Sequence, residues 1–271
     1  MKKVSLICTL FNEEKNVKYF MNSIVNQNEK PGEFIIIDGG SKDKTYPILK
    51  NFSKKYKWIK VFQVKGANIS KGRNYAIKKS KNEIIAVCDA GGEYRRDWLK
   101  KLVGGFNGKV SFGIDKPRIR NNFQKVLAKK ILRKNTPGSS RNMIFSKKIW
   151  KEVGGYPEDI ERAEDTLFDE RIKKAGYKIS RVEGAICFWE MRENLEEVKK
   201  QFFGYGYWDG VSHKKHGMLP GRYKVLIFLM FFTFPLYPLF WIFSKFSLGS
   251  KIVFERRYSY FFGFIKGYFV K

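Results

Sequence analysis

The chain has 271 residues, 43% of them hydrophobic and 17% aromatic, which is enough to bury a sizeable core and excludes wholesale disorder. Lys and Arg total 54 against 26 Asp and Glu, a formal charge of +28 that points to a polyanionic partner: nucleic acid, an anionic membrane surface or a phosphorylated substrate. Cys8, Cys88 and Cys187 lie far apart among apolar neighbours, which argues against a disulfide framework, and no Cys/His cluster has zinc-site spacing.

The opening MKKVSLICTLFNEE imitates a signal peptide, but its apolar run ends at Asn12-Glu13-Glu14 with no small-residue cleavage site after it. It reads as a first strand, and the expectation is a cytoplasmic N-terminal domain. Strands are expected at 4–11, 34–38, 58–64 and 83–90, with helices at about 15–27, 44–56 and 70–80 between them. Strands apolar on both faces and separated by helices imply a parallel sheet covered on both sides. In such sheets ligands gather at the carboxyl ends of the strands, where Asp38 and Asp89 fall.

The stretch from 106 to 200 is less regular. A basic helix in NNFQKVLAKKILRKN carries Phe123, Val126, Leu127 and Ile131 on one face, and suits either a membrane surface, a substrate phosphate or plain packing on the core. A second helix runs from Glu164 towards Gly176, a good C-terminal stop. Residues 225–243, VLIFLMFFTFPLYPLFWIF, are 19 without a charge, and Pro235 and Pro238 interrupt them. Basic residues flank the run on both sides, so a re-entrant hairpin or a pair of helices returning to one side fits the positive-inside tendency better than one crossing. The tail FERRYSYFFGFIKGYFVK mixes aromatics and cations as an interfacial helix does.

Five segments occur together in order: VSLICTLFNEEKNV, FIIIDGGSKDKT, GRNYAIKKSKNEIIAVCDAGGEYRRDWLKKL, EVGGYPEDIERAEDTLFDERIKKAGYKI and QFFGYGYWDG. Their order and spacing over residues 3 to 210 resemble family 2 of the inverting nucleotide-sugar glycosyltransferases. The resemblance implies a GT-A fold, a Rossmann-like, mostly parallel α/β sheet with flanking helices, here followed by membrane-associated helices. It divides the chain into a nucleotide-sugar half (1–105), an acceptor half (106–210) and a membrane-associated segment (211–271).

On that resemblance, Thr9, Asn12, Glu13 and Asp38 line the base and ribose pocket, although one acid is followed by Gly39 where the family has two adjacent acids. A carboxylate at a strand end accepts well from an imide N–H or from ribose hydroxyls. Lys71, Arg73 and Asn74 open a helix whose cations and free N–H groups suit a diphosphate. CDAGG resembles the family's metal motif. Asp89 fills its first acid position and Gly91 the second, so a divalent cofactor, Mg2+ or Mn2+, rests on Asp89 and the diphosphate. Glu164-Asp165 starts a helix whose N-terminus favours negative charge. The resemblance makes Asp165 the general base and Glu164 its orienting neighbour. Gln201, Tyr205 and Trp208 are acceptor-side candidates, with helix packing as the equal alternative.

The expected function is therefore transfer of a sugar from a UDP- or GDP-sugar to a lipid-linked acceptor, with inversion. The expected place is the cell membrane, with the catalytic domain on the cytoplasmic side and the basic surface against anionic lipid. A catalytically silent nucleotide-sugar-binding scaffold is the alternative that Gly39 and Gly91 keep open. A nucleic-acid-binding protein would explain the charge, but no recognised binding module is present and the apolar run is hard to reconcile with it, so nucleic acid is not an expected partner.

Overall fold

In the computed structural model, residues 3–131, 139–217, 230 and 236–270 are described. They divide into two compact units, Met1–Lys116 with Pro137–Glu190, and Pro117–Thr136 with Met191–Lys271. This division differs from the expected boundaries at 105/106 and 210/211, because the second unit draws in a central helix and begins its C-terminal part at Met191.

The first unit is built on an eight-stranded sheet. β1 (Val4–Leu10), β2 (Glu33–Asp38), β3 (Ile59–Gln63) and β4 (Ile84–Cys88) form its parallel half in the order β3-β2-β1-β4. α1 (Glu14–Val25), α2 (Thr45–Lys55) and α3 (Ile69–Lys79) connect them. β2 is buried along its whole length, as a parallel strand covered on both faces must be. Its residues alternate between two cores: Phe34 and Ile36 pack with Leu6, Phe20 and Trp98, while Ile35 and Ile37 pack with Ile7, Phe145 and Phe168.

The remaining strands make the sheet mixed, not mostly parallel. Chain order continues with β5 (Gly92–Tyr94), α4 (Trp98–Gly104), β6 (Val110–Arg118), α5 (Asn122–Ile131), β7 (Asn142–Ser146), α6 (Lys147–Glu152), α7 (Glu164–Lys174) and β8 (Ser180–Glu190). β7 runs antiparallel to β4, β6 to β7, and β5 to β8. After β4 a tight turn, in which the Gly92 N–H donates to the Asp89 carbonyl at 3.0 Å, leads into β5, which pairs with β8 and not with β4. β7 takes the place beside β4 and runs antiparallel to it, so the carboxyl end of β4 lies beside the amino end of β7, with Cys88 paired to Asn142.

The second unit contains α5, α8 (Leu195–His216), α9 (Tyr237–Ser244) and α10 (Leu248–Phe269). α8 and α10 cross at Gly206, Gly210, Gly263 and Gly267, two small-residue pairs spaced four apart. A Cβ at Gly210 would stand 2.3 Å from the Phe264 carbonyl oxygen, so only glycine permits this backbone approach. Beside the crossing, the Tyr260 hydroxyl donates to buried Asp209 at 2.6 Å. Among the described residues no helix is long and apolar enough to cross a membrane. Of the apolar run at 225–243, residues 225–229 and 231–235 lie outside the described ones. On α9 and just after it, Leu239, Phe240, Trp241, Ile242, Phe243 and Phe246 are all at least 40% exposed, and Lys245 caps the Trp241 ring at 3.7 Å.

Candidate active site

Four loops meet at the carboxyl ends of the parallel strands. Asp38 closes β2, and the sheet buries it completely. Its carboxylate accepts from the backbone N–H of Gly40 (3.1 Å) and Ser41 (3.0 Å), from the Gln63 amide (2.9 Å) and from the Ser41 hydroxyl. Three of these donors converge on Oδ2 and one on Oδ1, so both oxygens are engaged within the fold. Asp38 thus shapes the Gly39–Ser41 turn and presents no oxygen outward, unlike the ligand-facing acid expected there. Asn12 docks on that turn: its N–H donates to the Ser41 hydroxyl (2.9 Å) and its side-chain oxygen accepts from the Lys42 N–H (2.9 Å). Its φ of 53° is a left-handed conformation that asparagine tolerates. Glu13 follows, its N–H held by the Thr45 hydroxyl at 2.7 Å. Burial lifts the Glu13 carboxyl, a hydrogen bond from Asn16 opposes this, and Asp43 and Asp89 add to it.

The buried Thr9 hydroxyl finds no hydrogen-bond partner among the described residues. Gly72 of α3 lies directly on it, and a Cβ there would come within 2.4 Å of Thr9 Cγ2. This close approach brings the start of α3 over the strand ends. Lys71 is exposed, its N–H capped by Asn68 at 2.9 Å. Asn74, expected at the diphosphate, is spent within the fold. Its amide donates to the Tyr156 carbonyl and to Glu158, both at 2.9 Å, and its oxygen accepts from Trp150 (2.9 Å) and the Tyr156 N–H (3.0 Å). No polar atom of Asn74 is left for a ligand.

Arg73 is the hub. It is only 3% exposed, and its two terminal nitrogens reach Glu164 Oε1 at 2.8 Å and Asp89 Oδ1 at 3.0 Å. Burial opposes its charge, but Asp89 and Glu164 outweigh burial and raise its pKa. One side chain thereby ties the end of β4 to the start of α7. Burial pushes the Glu164 carboxyl up to about 7, with Asp165 adding and Arg73 opposing. Ala163, just before this acid pair, is held at φ 65°. A left-handed non-glycine residue costs on the order of 1 kcal/mol, and here it sets the angle at which α7 begins. Asp165 is half-buried, and one of its oxygens accepts from the Thr166 N–H at 2.8 Å. Asp89, Glu164 and Asp165 therefore gather around Arg73. Gln201, Tyr205 and Trp208 lie on α8 of the second unit, where the Gln201 amide donates to the Tyr205 hydroxyl at 2.8 Å and Trp208 packs edge-on to Tyr207.

Glu164 gives the first unit a pH signature. The folded state holds its proton to about pH 7 while the unfolded chain releases it near the ordinary 4.5. Between those values the unfolded state binds fewer protons, so this contribution to stability is full below the lower value and is lost as pH rises through the higher one. Glu164→Gln should flatten that slope, worth up to about 3 kcal/mol. Urea denaturation at several pH values checks this, and a variant with the slope of the unsubstituted protein would contradict it.

A metal would find one carboxylate oxygen here, since Asp89 gives its other to Arg73 and Gly91 brings none. Among the described residues no three His, Cys, Asp or Glu side chains gather at metal-holding distance. A cage built by the protein does not fit, whereas an ion carried mainly by a ligand's phosphates with Asp89 as anchor does. A cavity of about 390 Å³ elsewhere in the first unit, lined by Lys78, Trp150 and Glu158 among others, contains neither Asp89 nor Asp165. Its acids, Glu158 and Asp159, are not joined through Arg73, whereas Asp89 and Glu164 converge on that guanidinium, which marks the better candidate.

The sequence reading missed Tyr94, Asp115 and Arg141. The Tyr94 hydroxyl accepts from the Asp89 N–H and donates to the Arg141 carbonyl, each at 2.8 Å. No motif announces these residues; the antiparallel pairing of β4 with β7 brings them in.

The sequence model described as Glycosyl transferase family 2 matches residues 5–154. Glycosyltransferase AglE of Haloferax volcanii is 24% identical over 216 residues, spanning 73% of this chain and 70% of that one. Of several other curated relatives the chain spans between 26% and 75% of the length. The mannosyltransferase PcManGT from Pyrobaculum calidifontis, solved with GDP-Man and Mn2+, superposes with a TM-score of 0.71 at 14% identity, over 98% of this chain and 87% of that one. Residues 1–349 of TarS from S. aureus, solved with UDP-GlcNAc, give 0.56 at 20% identity, over 76% and 66%. These likenesses establish a mixed α/β sheet with flanking helices that resembles the GT-A fold.

Proposed function

Because the chain belongs to glycosyl transferase family 2, we propose that this glycosyltransferase moves a sugar from a UDP- or GDP-sugar to a lipid-linked acceptor, inverting the anomeric centre. One observation carries the reading: Arg73 binds Asp89 on one side and Glu164 on the other, which sets Asp165 at the same rim of the sheet. Neighbours solved with UDP-GlcNAc and with GDP-Man support a nucleotide-sugar donor.

In this mechanism the turn held by Asp38, with Asn12 and Glu13 docked beside it, borders the nucleoside, and exposed Lys71 faces the phosphates. Asp165 takes the proton from an acceptor hydroxyl as its oxygen attacks the anomeric carbon. The bond from that carbon to the donor phosphate breaks on the opposite side, inverting the centre, and the nucleoside diphosphate leaves with the electron pair. A divalent ion anchored by Asp89 would offset the charge gathering on the departing diphosphate. Buried Glu164 holds Arg73, and so the Asp89 loop, in register with α7.

The apolar surface of α9, with Lys245 at its end, supports a seat on an anionic membrane that exposes lipid-borne acceptors, the catalytic unit lying on the cytoplasmic side. The test incubates purified protein with UDP- and GDP-sugars, Mg2+ or Mn2+, and a membrane lipid extract. Consumption of one donor together with a sugar-bearing lipid is expected. Release of no nucleotide from any donor would overturn the proposal in favour of a silent binding scaffold.

A further inference from the structure

Asp89 has a cationic neighbour besides Arg73. β4 and β7 pair Cys88 with Asn142 in antiparallel register, so the next residues outward, Asp89 and Arg141, stand opposite each other. Tyr94 pins the two backbones together through its single hydroxyl. The Arg141 side chain is firmly held. Its Nε donates to the Ser139 hydroxyl at 2.9 Å and lies 3.8 Å from Asp115, and its guanidinium covers the Trp189 ring at 5.3 Å. Asp115 is fixed in turn by Ser139 (2.9 Å) and the Asn142 amide (3.2 Å). Burial opposes the Arg141 charge, yet Asp115 and then Asp89 raise its pKa. The two terminal nitrogens donate to none of the described residues, and the side chain keeps 29% of its surface exposed.

A rigid guanidinium with its fork unspent is the chemistry that recognises phosphate oxygens. It lies beside a loop whose position 91 is glycine, with open space where a side chain would project. We propose that Arg141 grips the β-phosphate of the donor's nucleoside diphosphate and so supplies, from the chain itself, part of the positive charge that Gly91 cannot recruit through an ion. Asp115 and Trp189 are its positioning residues. This rests on the nucleotide-sugar reading above.

Calorimetric titration with UDP and GDP and with the matching monophosphates, in Mg2+ throughout, tests it. Arg141→Gln should weaken binding of the tighter diphosphate by about tenfold or more while changing the monophosphate by less than about threefold. Arg141→Lys keeps the charge but loses the fork, and should fall between. A folded Arg141→Gln protein that binds the diphosphate within about twofold of the unsubstituted chain would overturn the proposal and hand Arg141 to the sugar or the acceptor. Should that variant fail to fold, Arg141→Lys decides: a loss of about threefold or more supports the phosphate contact and no loss overturns it. If the unsubstituted chain binds neither diphosphate, the nucleotide-sugar reading falls too; if it binds and the variants match it, only the role of Arg141 falls.

Discussion

Asp165→Asn should lower kcat by about 10²–10⁴-fold, the usual contribution of a positioned general base, while nucleotide affinity stays nearly unchanged. The substitution preserves the shape of the side chain and leaves an oxygen to accept from the Thr166 N–H, so α7 should start as before. What disappears is the capacity to take a proton from the attacking hydroxyl. Steady-state transfer assays with the donor identified by screening, paired with a binding titration, separate the two effects. Transfer near that of the unsubstituted enzyme would sink the base assignment and point to an acceptor already ionised, such as a lipid phosphate.

Arg73→Met should destabilise the first unit by about 3–5 kcal/mol, the cost of leaving buried carboxylates without their cation. Methionine fills much of the same volume, so the loss is electrostatic and not a cavity effect. Glu164 is only 8% exposed and Asp89 36% in their side chains, so Glu164 suffers most. The deficit should shrink as pH falls, because Glu164, whose carboxyl Arg73 no longer holds down, takes up a proton more readily and then carries no charge to compensate. Adding Glu164→Gln to Arg73→Met should recover part of the loss, because the orphaned charge is gone. Urea denaturation of the single and double variants checks both points. A loss below about 1 kcal/mol for Arg73→Met would mean that water already reaches this cluster and the hub is not structural.

The parallel half of the sheet was legible because its strands announce themselves. FIIID is apolar on both faces, as only a doubly covered strand can be, and the expected helices fall within two residues of those observed. The antiparallel half was not, since its pairs, β4 with β7 and β5 with β8, join strands far apart in the chain that nothing local links. Glu164 and Asp165 could be placed at a helix start from their own chemistry. The pairing of Glu164 with Arg73 could not, for 91 positions separate them and nothing local links them. Asp38 shows the reverse error: a strand-end acid suggests a ligand contact, yet Ser41 and Gln63 had already claimed it. Asn74 was misjudged similarly, its partners at 150–158 lying far along the chain. Arg141 carried no signal at all until β7 was set beside β4.

The proposed transfer needs one site at the carboxyl rim of β1, β2 and β4, in which a nucleoside diphosphate would lie between the Asn12–Glu13 loop and Asp89. A crystal structure with UDP or GDP bound measures this most directly. The diphosphate is expected beside Asp89 and Arg141, with Asp165 facing the space the sugar would fill. Nucleotide bound instead in the cavity by Lys78 and Trp150, or on any surface remote from Asp89, would contradict it.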